Sequence, residues 1–243
     1  MQILETVAAA FSMFSAVPMP PTRQARYLLC AFPLVGAAIG LCCTAWGAVC
    51  HAPILRGAGW TLIPVLLTGG IHLDGYADTV DALSSHADIA RRRAILKDPH
   101  CGAFAVIRLC TYFVAYFALC ASLDSCRVLC PVFVLSRALS GAALTVLPLS
   151  DTSTLARLLV DTPEKPRVRA VLVAESIAAA LSLLLLGGVA GLLMLCAAAV
   201  VLWRYVVAAR RDFGGVSGDL AGWFLQKVEL WMLAALVFAQ YAR

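Results

Sequence analysis

Seven apolar stretches, each close to the length that crosses a lipid bilayer, take up most of this chain. They cover 28–50, 58–80, 103–122, 128–149, 170–187, 189–208 and 220–241. A spanning helix needs about 20 mostly apolar residues. Backbone polar groups inside hydrocarbon must be satisfied within the segment, which favours helix over open strand. The expectation is therefore an all-α fold: a polytopic integral membrane bundle of about seven spans, forming a single domain over 1–243. Composition agrees, with 62% apolar and 14% charged residues, against about 45–50% and about 25% in soluble domains. This excludes a disordered chain, a coiled coil and a typical soluble enzyme.

A shorter apolar stretch, 2–17, is stopped by Pro18, Pro20 and Pro21. It reads as a helix lying at the membrane interface rather than an eighth span. It carries Glu5 and no basic leader, so it does not resemble a cleaved signal and is expected to stay in the mature protein.

The net charge of +5 is informative through its placement. Alternating the seven spans puts Arg23, Arg26, Arg91, Arg92, Arg93, Lys97, Arg157, Lys165, Arg167, Arg169, Arg210 and Arg211 on one side. Only Arg56, Arg127 and Arg243 fall on the other. By the positive-inside tendency the richer side is cytoplasmic. It also holds three long connections, roughly 84–102, 150–169 and 209–219, so chemistry is expected there. No dense basic face exists for nucleic acid, and no nucleic-acid partner is expected. The ten cysteines include no CxxC pair, and eight sit inside apolar runs, where cysteine acts as a small hydrophobe.

Charged groups near or inside spans are costly and point to function. Asp74, Asp78 and Asp81 are spaced by four and three, which places them on one helix face. Three carboxylates side by side repel and call for protonation or a bridging cation. Oxygen-only donors suit a hard ion, Mg²⁺ or Mn²⁺, and Mg²⁺ commonly shares substrate phosphates, which suggests phosphoryl chemistry. His72 reads as a neighbour of that site or as an interfacial histidine. Gly69, Gly70 and Gly75 permit close approach of a backbone or ligand.

Further candidates flank this cluster. Lys97 and Asp98 precede the Pro99–Gly102 turn; the lysine suits a phosphate and Asp98 offers an oxygen ligand. Arg91 to Arg93 read as anchoring charge, and Arg108 as a base snorkelling to the interface. Arg137, deep in a span, is either a ligand contact or the partner of a buried acid. Gly214, Gly215 and Gly218 form a turn whose amides suit an anion, flanked by Asp212 and Asp219 as oxygen donors. Lys227 and Glu229 follow in the last span, where they can pair within the bundle.

These blocks, in order, are familiar. Phe32-Pro33-Leu34-Val35-Gly36, Gly70-Ile71-His72-Leu73-Asp74-Gly75-Tyr76-Ala77-Asp78-Thr79-Val80-Asp81-Ala82, Lys97-Asp98-Pro99-His100-Cys101-Gly102-Ala103-Phe104, Ser136-Arg137-Ala138 and Gly214-Gly215-Val216-Ser217-Gly218-Asp219-Leu220-Ala221-Gly222 run through nearly the whole chain. The chain resembles the adenosylcobinamide-GDP ribazoletransferase (cobalamin synthase) family. It departs at Met13 and Phe14, where a basic residue is usual, and at His100 and Cys101, where Arg and an aliphatic residue are common. The segment after Pro148 is also poor in basic residues for the family.

The resemblance implies a Mg²⁺-dependent enzyme of the bacterial inner membrane, with its site facing the cytoplasm. It would join adenosylcobinamide-GDP to α-ribazole, or its 5′-phosphate, and release GMP. On this reading Asp74, Asp78, Asp81, Asp212 and Asp219 are metal ligands, and Asp74, Asp78, Asp81 and Lys97 catalytic, with Asp81 as general base or further ligand. His72, Asp98, Arg137, Gly214, Gly215, Gly218 and Glu229 bind substrate. The expected partners are the two substrates, the bilayer, and a second copy or other enzymes of cobamide assembly. The rival class is a transporter, which would set its carboxylates at mid-bilayer and carry internal repeats; neither feature is visible in the sequence.

Overall fold

A computed structural model describes residues 2–20, 26–150 and 153–242. Pro21, Arg23 and Arg243, used above, lie outside the described residues. Eleven α-helices are present among the described residues: α1 (Gln2–Phe14), α2 (Phe32–Val49), α3 (Pro53–Thr68), α4 (Ile71–Ser84), α5 (Ile89–Ile95), α6 (Ala103–Ala121), α7 (Leu129–Val146), α8 (Thr154–Val160), α9 (Lys165–Gly187), α10 (Val189–Arg211) and α11 (Gly218–Tyr241). A 3₁₀ turn, Leu28–Ala31, leads into α2. The polytopic all-α fold is thus as expected. Six continuous helical segments are long and apolar enough to cross a membrane: Leu28–Val49, α6, α7, α9, α10 and α11.

The seventh expected span is not one straight helix. The stretch 58–80 breaks into α3 and α4, which meet at 94°. Gly69 and Gly70 make the break, with φ of 64° and 79°, a left-handed conformation that side-chain-bearing residues avoid. Both glycine amides turn back to the Val65 carbonyl, ending α3. Apolar composition runs on across the bend, which is why hydropathy alone joins the halves. The span expected at 170–187 instead starts at Lys165, because Pro166 sits in the first helical turn, where its missing N–H costs nothing.

The apolar faces pack inward. Val35, Ile39, Val132, Phe133, Leu172, Tyr205, Phe224 and Leu233 are fully buried, while Leu66, Leu185, Val189 and Trp203 face outward, as lipid-facing groups do. α1 lays Ala9 and Ala10 on Leu28 and Ala31 and leaves Ile3 and Leu4 exposed. All ten cysteines are free thiols.

The connections α4–α6, α7–α9 and α10–α11 meet at one end of the bundle. Arg92 pairs with Asp212, and Arg93 Nε donates to the Phe213 carbonyl at 2.7 Å. The Val216 amide donates to Pro148 at 2.8 Å, and the Ser150 amide to Val216 at 2.9 Å. At the opposite end Arg56 Nη2 donates to the Leu123 carbonyl at 2.9 Å. The grouping of long connections expected from charge alternation is therefore present in three dimensions.

Candidate active site

The site is built where α4 crosses α11. Leu73, Tyr76, Ala77 and Val80 are buried, which turns Asp74, Asp78 and Asp81 toward the less covered side of α4. The crossing is close because both helices present glycine. A Cβ on Gly75 would lie 2.8 Å from both the Cα and the carbonyl oxygen of Asp219; one on Gly222 would lie 2.9 Å from the His72 carbonyl oxygen. Asp219, in the first turn of α11, is thereby brought beside the α4 acids. Ser217 caps α11, its hydroxyl accepting from the Leu220 amide at 3.2 Å.

Gly75→Val is accordingly expected to force the helices apart. Its stability loss should be about 1–3 kcal/mol, the usual scale of overpacking, together with loss of turnover. Gly187→Ala, whose Cβ would meet only Val128 at 3.8 Å, is the neutral control. Thermal unfolding in detergent, run beside a turnover assay, reads both.

Two depressions meet at Asp74. One, of about 140 Å³, is bordered by Phe14, Phe32, His72, Asp74, Gly218 and Asp219. The other, wider and about 500 Å³, is bordered by Gly70, Asp74, Asp78, Pro99, His100 and Cys101. Asp74, Asp81 and Asp219 all stand close enough to Asp78 to act on it electrostatically. His72 is 7% exposed, and its Nε2 has no hydrogen-bond partner among the described residues. Its ring lies 5.7 Å from that of Phe32 and 6.4 Å from that of Phe14. Phe14, one of the two departures in the N-terminal stretch, is thus part of the cavity wall. Nothing in a single chain says that α1 packs on the start of α2 and so carries Phe14 to His72.

Other expected site residues stand elsewhere. Asp81 borders neither depression; its carboxylate faces Gly102 at the start of α6. Asp212 is paired with Arg92 and borders neither depression. Gly215 donates its amide to the Ala209 carbonyl at 2.7 Å, and it is glycine because a Cβ would strike the 149–150 backbone. Gly214 adjoins Arg93. Of the three turn glycines, Gly218 borders the cavity. The anion-cradle reading of this turn is therefore replaced by a packed corner that aims α11.

Of the two readings of Arg137, the structure bears out the partner of a buried acid, and that acid is Glu229, expected above as a substrate-binding residue. They pair with each other at 2.7 Å, with side chains 1% and 2% exposed. Ser136 Oγ donates to the same Glu229 oxygen at 2.7 Å, and Arg137 Nη1 also donates to the Phe133 carbonyl at 3.0 Å. Glu229 thus pairs within the bundle, as expected, through Arg137 of α7. Lys97 and Asp98 are exposed in the α5–α6 connection. Hydrogen bonds from the His100 amide and then its ring hold the Asp98 carboxyl below the usual carboxylate range. Arg92 and Arg93, read as anchoring charge, instead strap α5 onto the α10–α11 corner. The only sequence signal for this was a basic run facing an acidic, glycine-rich one.

Among the described residues no three His, Cys, Asp or Glu side chains stand close enough together to hold a cation on their own. Mg²⁺ asks for less, commonly one or two carboxylates with phosphate oxygens completing its shell. Asp74 and Asp219, bordering one cavity from two helices, are a donor pair of that kind, with Asp78 beside them.

The sequence signature described as cobalamin-5-phosphate synthase matches residues 6–237. A protein of Lachnoclostridium phytofermentans named adenosylcobinamide-GDP ribazoletransferase is 37% identical, over 99% of this chain and 96% of its own. Proteins of the same name from Pseudomonas syringae and Clostridium perfringens are 34% and 28% identical. They cover 90% and 93% of this chain and 90% and 94% of their own. No solved structure matches the chain.

Proposed function

The chain belongs to the cobalamin-5-phosphate synthase family, and from that premise we propose that it joins adenosylcobinamide-GDP to α-ribazole, or to α-ribazole 5′-phosphate, with release of GMP. The observation that carries the chemistry is the meeting of Asp74, Asp78 and Asp219 at the α4–α11 crossing. The basic connections gathered at the same end of the bundle support a site on the cytoplasmic face of a bacterial inner membrane.

The reaction is a phosphoryl transfer. The ribazole 3′-hydroxyl oxygen forms a bond to the phosphorus nearer cobinamide. The bond from that phosphorus to the bridging oxygen breaks, and GMP leaves with the electron pair. Mg²⁺, held by Asp74 and Asp219, would supply neutralisation of the diphosphate charge there. Asp78, one turn along α4 and bordering the wider opening, takes the hydroxyl proton on its carboxylate. Lys97, exposed at the rim, supplies positive charge to approaching phosphates. His72, with Phe14 and Phe32, lines the smaller cavity as a flat aromatic wall for the nucleoside.

The test is direct. Purified protein in detergent, given both substrates and Mg²⁺, is expected to release GMP in step with cobamide formation, and to stop when EDTA removes the ion. GMP release undiminished by EDTA would exclude the metal role. No release with either form of ribazole would exclude the reaction.

A further inference from the structure

A second charged cluster lies behind α4. Lys227 on α11 has Arg108 of α6 and Arg204 of α10 close enough to act on it electrostatically. Its ammonium stands 5.8 Å from the centre of the Tyr76 ring, and Arg108 acts on Tyr76 as well. Tyr76 is two residues from both Asp74 and Asp78, so it points to the opposite face of α4. Among the described residues none of the three bases has an acidic partner within ion-pair distance.

The three bases lie at similar depth. Arg108 is five residues into α6, Arg204 seven before the end of α10, and Lys227 nine into α11. At about 1.5 Å per residue this is roughly 8–13 Å from the end of the bundle that carries the long connections. Each base is within side-chain reach of the headgroup layer. Snorkelling alone would let them diverge, since like charges repel. Instead Arg204 and Lys227 border one cavity of about 600 Å³, whose other walls are Cys196, Val200, Trp223 and Trp231. Val200 and Trp231 are more than half exposed, so the cavity opens sideways, where lipid would lie.

We propose that this cavity binds an anionic glycerophospholipid of the inner leaflet, the phosphate between Arg204 and Lys227 and an acyl chain along Trp223, Trp231 and Val200. Bases alone need an anion, and apolar walls on the lipid-facing side select one that carries a hydrocarbon tail. A water-soluble nucleotide would have to cross hydrocarbon to enter. The site is independent of the reaction proposed above, because none of its lining residues borders either depression at Asp74.

The experiment is native mass spectrometry of delipidated full-length protein. It is titrated with dioleoylphosphatidylglycerol or dioleoylphosphatidylcholine, with inorganic phosphate as competitor. The anionic lipid is expected to bind more tightly by on the order of 30- to 150-fold, the scale set by two or three bases beside an anionic headgroup. Arg204→Gln combined with Lys227→Gln should remove the preference, and Lys227→Arg should keep it. Equal binding of the two lipids would overturn the proposal, leaving the bases as interfacial anchors only. Displacement of the lipid by millimolar phosphate would also overturn it, in favour of a free-phosphate site. Thermal unfolding without lipid separates a structural role. The double variant should be unchanged or more stable, since like charges are removed; marked destabilisation would count against the proposal.

Discussion

Asp78→Asn is expected to abolish most turnover while leaving the protein folded and no less stable. The two side chains have the same shape. The substitution removes one charge from a group on which Asp74, Asp219 and Asp81 all act, so repulsion within the folded state falls. Loss of a positioned proton acceptor typically costs about 10²–10⁴-fold in rate. The combination is diagnostic, because a residue that serves only the fold loses stability when altered, whereas a reacting group held at a cost gains it. GMP release at saturating Mg²⁺, set beside thermal unfolding in detergent, reads both quantities. Turnover within a few-fold of wild type would remove Asp78 from the reaction. Asp219→Asn should behave differently, its deficit appearing first as a higher Mg²⁺ requirement.

The second large effect is structural. Arg137→Ala leaves the Glu229 carboxyl without its counter-charge between α7 and α11, where its side chain is 2% exposed and the Ser136 hydroxyl is its remaining partner. Breaking a buried pair in this way typically costs about 3–5 kcal/mol. For a chain of this size that is a fall in Tm of roughly 6–20 °C. Arg137→Met with Glu229→Leu should recover most of the loss, since a buried pair is often replaceable by apolar groups of similar volume. Thermal unfolding of the two single variants and the double variant gives the coupling. A normal Tm for Arg137→Ala with a raised KM would instead restore arginine as a substrate contact.

What a single sequence discloses here follows from the range of each interaction. Span positions were readable because hydrocarbon thickness fixes a length that composition can match. The bend between α3 and α4 was not, because Leu66, Leu67, Ile71 and Leu73 continue the apolar run while two backbone dihedrals at Gly69 and Gly70 change its direction. The Asp74–Asp78 face was readable from helical spacing. That Asp219 lies at the same end of the bundle was readable from span alternation; its close approach rests on Gly75 and Gly222, whose missing side chains carry no hydropathy signal. Asp212 and Glu229 were drawn into the site because an acid near a span looks functional. Their partners, Arg92 and Arg137, are 120 and 92 residues away in the chain, beyond any local pattern.

The same separation bears on biogenesis. Arg137 leaves the ribosome 92 residues ahead of its counter-charge. At about 5–20 residues per second it waits roughly 5–20 s before Glu229 is even synthesised. A bare guanidinium in a nascent span resists settling into lipid. The seventh helix therefore cannot finish docking until the final one arrives. That last helix also delivers Asp219, so a chain cut short in translation would lack both the counter-charge of Arg137 and one of the acids at the α4–α11 crossing.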